Sequence, residues 1–411
     1  MANIDRFGCI AVVPTRRSEI IDGHAIVEAC RRLDVPVPTV AVDDLSEPEV
    51  KALRLSLNKL AEQSVWDPEA LAATFDELFQ LDPDLLGFTG FAMPAIDQLL
   101  AGVGIGADTD QDDDAVALST TPVSRLGDQW LFAGGHKLLC ANSRDPASYA
   151  ALLGGERVQM LASDPPYGCA ITGHVSKTHG EFVEGSDMSE AEALAFFDGF
   201  LRPAVARLQD GAIVQLFIDW GGMYPLQTAM RAAGLVQKAL CVWDKGAGAM
   251  GSLYRQQAEF VIVAKWGAAP HINNVELGKH GRNRTTVWQA PGLAQFGKGR
   301  QEALALHPTV KPVGLVADML LDTSRRGGVV LDPFCGSGTT LIAAHRTRRL
   351  GRGIELDPAY VDVAVHRMEA ATGAPARLAS TGQSFAEVAA ARRAMPDTPD
   401  TGPRLSAAAL A

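Results

Sequence analysis

The sequence predicts an α/β layer fold built on a mostly parallel β-sheet. Short apolar runs of strand length alternate with longer stretches of helical periodicity, which is the pattern of β-α-β units. A glycine-rich turn also stands between one of these strands and the helix after it. At 411 residues the chain is long enough for this domain and a second, smaller one. The predicted strands are RVQMLASD, AIVQLFID, EFVIVAKW and GVVLDPF, and the predicted helices include SEAEALAFFDGFLRPAVARL and TLIAAHRTRR.

A smaller α+β unit is predicted ahead of the sheet, over residues 1–105. Its clearest element is a helix over residues 46–62, because Ser46 and Glu49 have the spacing of a capping box and apolar residues recur on one face behind them. VPVPTVAVDDL predicts a strand before this helix, and DPEALAATFDELFQL predicts a helix after it.

The segments that flank the sheet domain, which we place at residues 128–372, are expected to be less regular. Residues 106–127 are acidic, small and aperiodic, which is typical of a linker. Residues 373–411 show little sustained apolar face. We therefore expect a poorly ordered tail with one short helix around SFAEVAAARRA.

The charge of the chain is unevenly distributed. The net charge of -11 by itself disfavours a nucleic-acid partner, because phosphate binding needs Lys and Arg. Residues 1–128, however, hold 23 of the 48 acidic residues and only 9 of the 37 basic ones. Residues 237–311 carry ten basic residues against four acidic ones, interleaved with aromatic residues. That segment favours a polyanion with stackable bases, and a solvated loop face is the alternative.

Other classes of protein are disfavoured by the composition. No run reaches the ~18 apolar residues of a membrane span, and the amino terminus lacks the blocks of a signal peptide, so we expect a cytoplasmic protein without membrane contact. The six cysteines are scattered singly, which predicts reduced thiols and neither a disulfide framework nor a metal site.

The stretch DPFCGSGTT, at residues 332–340, predicts a nucleoside site. Glycines between a strand and a helix let a ligand approach the backbone, and Glu355 at the end of the next strand is placed to accept the two hydroxyls of a ribose. The third glycine of a dinucleotide-binding loop is missing. A purely structural tight turn is the alternative.

A second motif, DPPY at residues 164–167, directly follows an apolar run that is typical of a buried strand. A turn needs one proline at most. Two prolines fix the backbone between a carboxylate and an aromatic ring, which favours a catalytic device over a rigid turn.

Together, DPPY and DPFCGSGTT resemble the motifs of the amino-methylating DNA methyltransferases, which use S-adenosylmethionine, and their order resembles that of the beta class. The resemblance spans about residues 128–372 and includes HPTVKP and GSLYRQQAEFVIVAKWG. It implies a Rossmann-like methyltransferase sheet, double-stranded DNA as the partner, a possible homodimer and a role in restriction-modification.

The resemblance also implies which residues act. The amino group of a base is a poor nucleophile because its lone pair is delocalised into the ring. The Asp164 carboxylate and the Pro165 carbonyl would accept its hydrogens, Pro166 would fix the backbone, and Tyr167 would stack on a flipped-out base. Cofactor binding would fall to Asn142, Lys311, Asp332, Phe334, Gly336, Ser337, Gly338 and Glu355.

DNA contacts are predicted in the basic segment over about residues 240–300, with Arg255, Arg282 and Arg284 as candidates. Arginine grips a guanine edge bidentately or neutralises a phosphate, and both roles remain open here.

The first unit resembles the ParB-like domain that is often fused ahead of such methyltransferases. Where that family has a G-x-x-R loop, this chain has Gly23, His24, Ala25 and Ile26, and no strands are evident ahead of it. A docking or DNA-positioning appendage is expected.

Aspartate at the start of DPPY favours the 6-amino group of adenine as the target, with the 4-amino group of cytosine as the alternative. An RNA or protein-amide methyltransferase and a non-catalytic, partition-like DNA-binding adaptor are the other hypotheses.

Overall fold

The computed structural model describes residues 1–62, 66–105, 121–167, 188–249, 253–278, 284–290 and 311–394. The chain divides into two compact units, Met1–Val103 and Gly104–Ala411. None of the helices within the described ranges is long and apolar enough to cross a membrane.

The first unit combines helices with a small three-stranded sheet. Strand β1 lies in the middle of this sheet, antiparallel to β2 and parallel to β3. The elements are α1 (Ala2–Phe7), β1 (Val13–Arg16), β2 (Glu19–Ile20), α2 (His24–Leu33), β3 (Thr39–Ala41), α3 (Glu47–Glu62), α4 (Pro68–Leu81) and α5 (Met93–Ile105).

Local sequence signals explain two of these helices. The backbone N–H and the hydroxyl of Ser46 donate to the Glu49 carboxylate at 2.7 and 2.6 Å, so the predicted capping contact at the start of α3 is confirmed. Asp67 accepts the backbone N–H of Glu69 at 2.9 Å and caps α4. The expectation that no strands precede Gly23 is wrong, because β1 and β2 lie there and are only four and two residues long.

The second unit contains the large sheet. Its strands are β4 (Gln129–Leu131), β5 (Lys137–Cys140), β6 (Val158–Ser163), β7 (Leu208–Ile218), β8 (Val236–Ala249), β9 (Gln256–Lys265), β10 (Val287–Gln289), β11 (Val329–Asp332), β12 (Leu350–Glu355) and β13 (Arg377–Leu378). Its helices are α6 (Pro146–Leu153), α7 (Glu190–Val205), α8 (Met223–Ala232), α9 (Val313–Thr323), α10 (Thr339–Arg346), α11 (Pro358–Thr372) and α12 (Phe385–Ala394).

The sheet is parallel in its centre, antiparallel towards the β13 edge and mixed towards the β10 edge, where β10 pairs parallel with β8. The strand order is β10-β8-β9-β7-β6-β11-β12-β5-β4-β13. Strands β7, β6, β11, β12 and β5 are mutually parallel, whereas β9 runs antiparallel to β7 and β8, and β4 runs antiparallel to β5. The predicted α/β fold with a Rossmann-like sheet is confirmed, with antiparallel additions on both sides.

Two hydrophobic clusters cover the two faces of the sheet. In the regular part of β6, Met160 and Ala162 belong to the cluster with α9 to α12, whereas Leu161 between them belongs to the cluster with α6 to α8. Alternate residues of a strand point to opposite faces, so a strand covered on both sides is apolar over most of its length. This burial accounts for the apolar run at residues 160–162 ahead of DPPY.

The unit extends further in both directions than the sequence predicts. The carboxylate of Asp362 in α11 accepts the backbone N–H groups of Val123 and Ser124, so the last part of the expected linker is packed into this unit. The expectation of a poorly ordered tail from residue 373 is also wrong as far as residue 394. There β13 pairs with β4, and Phe385 of α12 packs on Trp130 at 5.2 Å between ring centroids.

Candidate active site

Both sequence motifs lie at one edge of the large sheet. DPPY begins directly after β6, and the glycine-rich turn begins at the end of β11, the neighbouring parallel strand. Glu355 ends β12, which is the next parallel strand. Because parallel strands present their carboxyl ends at the same edge, the sheet brings together groups that are 191 residues apart in sequence at most, from Asp164 to Glu355.

The carboxylate of Asp164 is held from two sides. The Tyr167 hydroxyl donates to Oδ1 at 2.5 Å, and the Lys311 ammonium lies 2.9 Å from Oδ2. Pro165 is buried and Pro166 is half-buried between these two ends of the motif, and each fixes its own φ angle. The motif therefore forms a compact loop in which the carboxylate is oriented before any ligand arrives.

Lys311 lies at the catalytic motif, although the resemblance implies a cofactor contact for it. Its ammonium is 2.9 Å from the Glu259 carboxylate of β9 as well as from Asp164, and Glu259 also pairs with Lys245 of β8 at 2.9 Å. Four alternating charges thus form a partly buried chain, Asp164, Lys311, Glu259 and Lys245.

The buried charges shift one another's pKa. Burial opposes the charge on Lys311, but Asp164 and Glu259 outweigh it and raise the pKa of Lys311 well above its usual range. Burial likewise opposes the charge on Glu259, and the two lysines outweigh it and lower the pKa of Glu259 to about 2. At Asp164 burial prevails over Lys311 and raises the pKa. Asp164 is therefore the member of this chain whose charged form burial disfavours most, despite the adjacent Lys311.

The turn after β11 is tied to both neighbouring strands. The Asp332 carboxylate accepts the Ser163 hydroxyl of β6 at 2.5 Å and the backbone N–H of Phe334 at 3.0 Å. Burial raises the pKa of Asp332 to about 6 despite these hydrogen bonds. Phe334 packs on Phe200 at 4.8 Å between ring centroids. Asp332 thus holds the turn against the strand that carries Asp164.

Glu355 is oriented by backbone donors on both of its oxygens. Gly336 donates its N–H to Oε2 at 2.8 Å, and Asp357 donates to Oε1 at 2.8 Å. Burial raises the pKa of Glu355 to about 7, although these N–H groups favour the charged form. Leu356 also donates a backbone hydrogen bond to this carboxylate, so of about four acceptor sites one stays open to a ligand hydroxyl.

The turn fits a ligand that approaches the backbone. Gly336 has φ +50°, and a Cβ built on it would have no atom within 4 Å, so open space lies beside Glu355 at this position. The buried carboxylate with an open acceptor site and the open glycine beside it suit the ribose of a nucleoside cofactor.

Three other predicted cofactor residues have structural partners. The Ser337 hydroxyl accepts from Arg367 at 2.8 Å, and a Cβ on Gly338 would lie 3.0 Å from Ala364 of α11. The Asn142 side chain accepts the backbone N–H of Arg144 at 2.8 Å in the loop after β5. Their contacts with a cofactor stay a prediction.

The predicted DNA-binding arginines differ in their surroundings. Arg255 is exposed ahead of β9. Arg284 instead pairs with Asp318 at 3.0 Å and with Asp322 at 2.6 Å, both in α9, and its guanidinium lies 5.1 Å from the centre of the Trp288 ring. Arg282 lies outside the described residues.

Sequence reasoning missed four residues near DPPY. The sequence did not point to Glu259 and Lys245, because they lie on β9 and β8. These two strands pair antiparallel with each other, and β9 also pairs antiparallel with β7. Trp220 and Tyr224, which are 71% and 65% exposed, follow the carboxyl end of β7. The turn between them reaches DPPY, since a Cβ on Gly222 would lie 3.2 Å from the Tyr167 carbonyl oxygen. An aromatic residue just after a largely apolar strand was the available signal.

Comparison with known proteins points to one family for this sheet. The profile of a family described as DNA methylase matches residues 158–366, which is more than half of the chain. Type II methyltransferase M.ScaI of Streptomyces caespitosus is 39% identical over 90 residues, 22% of this chain and 30% of its own length. Type II methyltransferase M2.DpnII of Streptococcus pneumoniae is 25% identical over 250 residues, 57% of this chain and 91% of its own length.

Solved structures of DNA methyltransferases resemble the chain weakly. The M1.HpyAVI-SAM complex has a TM-score of 0.42 at 19% identity and covers 56% of this chain and 98% of its own. PvuII DNA methyltransferase, described as cytosine-N4-specific, has a TM-score of 0.44 at 14% identity and covers 66% of this chain and 93% of its own.

Proposed function

Because the chain belongs to the DNA methylase family, whose profile covers residues 158–366, we propose that it transfers a methyl group from S-adenosylmethionine to an exocyclic amino group in double-stranded DNA. The observation that carries this proposal is the position of the Asp164 carboxylate one strand away from the Gly336 turn, at the same edge of the sheet. Adenine is the proposed base, on the basis of the aspartate that opens DPPY.

The cofactor half of the reaction rests on the turn after β11. The cofactor would supply an activated methyl group on a sulfonium, which is a good leaving group. Glu355 would accept the ribose hydroxyls, since both of its oxygens are oriented by backbone N–H groups. The Gly336 backbone would lie against the ligand, because glycine has no side chain to fill the open space there.

The base half rests on the DPPY loop. Asp164 and the Pro165 carbonyl would accept the two amino hydrogens, which localises the lone pair on nitrogen and aims it at the methyl group. The Asp164 carboxylate has about four acceptor sites, and Tyr167 and Lys311 use two of them, so the amino group finds a free one. Tyr167 would stack on the base, which must be flipped out of the duplex to reach it.

Mass spectrometry of nucleosides tests the reaction and its target together. Duplex DNA incubated with the full chain and S-adenosylmethionine should gain N6-methyladenine, whereas N4-methylcytosine would make cytosine the target. We expect Asp164→Ala to lower turnover on the order of 10²-fold or more, because one preorganised contact to the reacting group is lost. Cofactor affinity, measured by calorimetry, should be largely retained.

Asp198→Ala is the matched control. Asp198 forms an exposed ion pair with Arg202 on α7 and should be replaceable without loss of turnover. Methylation of RNA or of a protein amide in place of DNA would contradict the proposed substrate. Failure to bind S-adenosylmethionine would favour the non-catalytic adaptor, and turnover within a few-fold of wild type in Asp164→Ala would move the catalytic site elsewhere.

A further inference from the structure

The ammonium of Lys311 occupies a closed position beside the DPPY loop. Its side chain is only 9% exposed. Its nitrogen lies 2.9 Å from both Asp164 and Glu259, and 3.1 Å from the Tyr167 hydroxyl oxygen. The rings of Phe217 and Tyr167 also face this nitrogen, at 5.2 and 5.4 Å from their centroids. A cation in this position is fixed by contacts on several sides and has little freedom to turn towards solvent.

The cluster is assembled from distant parts of the chain. Asp164 follows β6, Glu259 lies on β9, and Lys311 stands two residues ahead of α9. Strand β9 runs antiparallel to β7, so its amino-terminal half reaches the edge where the parallel strands end, as the pairing of Phe260 with Ile218 shows. The topology thus brings a second carboxylate, Glu259, to Lys311 and to within 3.2 Å of the Tyr167 hydroxyl that also contacts Asp164.

We propose that Lys311 and Glu259 are positioning residues for the methyl transfer: Glu259 anchors the Lys311 ammonium, and Lys311 orients the Asp164 carboxylate and keeps it ionised. The inference rests on the proposed function, because the charge of Asp164 matters only if that carboxylate accepts hydrogens from the target amino group.

Lys311 and Glu259 act on Asp164 with opposite sign. Burial raises the pKa of Asp164, Lys311 opposes this rise, and Glu259 adds to it. The other ionisable groups around Asp164 are Tyr167, which donates to it, and Asp332 of β11, whose charge repels it. Lys245 acts from further out, on the Glu259 oxygen that faces away from Lys311.

The two opposite signs give an experiment that a merely structural cluster would not satisfy. The single-turnover rate of methyl transfer is measured against pH, with the full chain saturated with S-adenosylmethionine and duplex DNA. Activity requires ionised Asp164, so the acid limb of the profile follows its pKa. We expect Lys311→Gln to move this limb up by about 1–3 pH units, since an adjacent cation lowers a carboxyl pKa by that amount.

Glu259→Gln should move the limb in the other direction, to lower pH. It removes an anion near Asp164 and leaves Asp164 as the one carboxylate among the described residues that pairs with Lys311. The double variant Glu259→Gln with Lys311→Gln removes one charge of each sign, and its limb should lie between those of the two single variants. It also keeps the test usable if Lys311→Gln alone leaves two facing carboxylates and folds poorly. Lys245→Gln, which changes the outer charge of the cluster, should produce a smaller shift than Lys311→Gln.

Unmoved acid limbs, or shifts of the same sign in both single variants, would overturn the proposal. Loss of cofactor affinity in Lys311→Gln with an unchanged limb would overturn it in favour of a cofactor contact. Carbon-13 NMR of the aspartate-labelled full chain, with Asp164→Asn to assign the signal, reads the same opposite pKa shifts without any turnover. If wild type methylates no DNA while these NMR shifts appear, the proposed function fails and the charge coupling stands.

Discussion

Two glycines of the turn after β11 are required for different reasons. Gly338 has φ +86°, and a Cβ there would meet Ala364 of α11 at 3.0 Å, so its role is to let α10 and α11 pack closely. Gly336 has φ +50° and faces open space beside Glu355. Its backbone conformation favours glycine, and the space where a side chain would stand is open to a ligand.

Gly336→Val should therefore abolish binding of S-adenosylmethionine while leaving the fold in place. The new side chain would fill the space beside Glu355, and the left-handed backbone would cost on the order of 1–2 kcal/mol of stability. Gly373→Val is the matched control, because Gly373 ends α11 at φ +64° and its Cβ position is equally open. Calorimetry should show lost binding only in Gly336→Val, and equal affinity in both variants would remove the cofactor from this turn.

At the scale of single elements, strand direction determines which parts of the site can be predicted from sequence. Asp164, Asp332 and Glu355 each end or follow a parallel strand, so motifs in the sequence are enough to bring them together. Glu259 lies in the middle of a conventional strand pattern and reaches the site only because β9 runs antiparallel to β7. Strand direction depends on long-range pairing, which local patterns do not encode.

The segment that leads into β10 shows the same limit. Arg284 has the sequence context of a DNA contact, with basic residues and glycines beside it, yet its guanidinium pairs with the two aspartates of α9. We expect Arg284→Ala to lower the free energy of unfolding by on the order of 1–3 kcal/mol, because two carboxylates lose their partner. Arg255→Ala should leave it unchanged and weaken DNA binding, with a reduced salt dependence.

Denaturant unfolding and a salt series of DNA titrations on both arginine variants measure these effects. Retained stability in Arg284→Ala, together with relaxed sequence selection at one base position, would show that this guanidinium reads DNA and does not serve to hold α9.

In the whole molecule, the first unit is strongly acidic and the second contains the basic segment, and we expect the two units to have different roles. The first unit holds its own small core around Phe75, Leu86 and Ile96, while the second contains both motifs, the basic segment and the large sheet. The boundary between linker and sheet unit was not predictable from composition. Thr121 to Gly127 resemble a linker in sequence, and their order depends on Asp362, which is more than 230 residues away.

A chain that begins at residue 121 should consequently fold, bind S-adenosylmethionine and methylate the same DNA sites as the full chain. A chain that begins at residue 126 is its control. The second truncation leaves the buried Asp362 carboxylate without the N–H groups of Val123 and Ser124, and it takes the Ser124 hydroxyl from Trp130, so it should melt at a lower temperature. Methylation-sensitive sequencing of DNA exposed to each chain compares the sites. If the chain that begins at residue 121 is folded and binds cofactor but modifies a different set of sites, then the acidic first unit selects the DNA sequence. The basic segment between the motifs would in that case only contact the phosphate backbone.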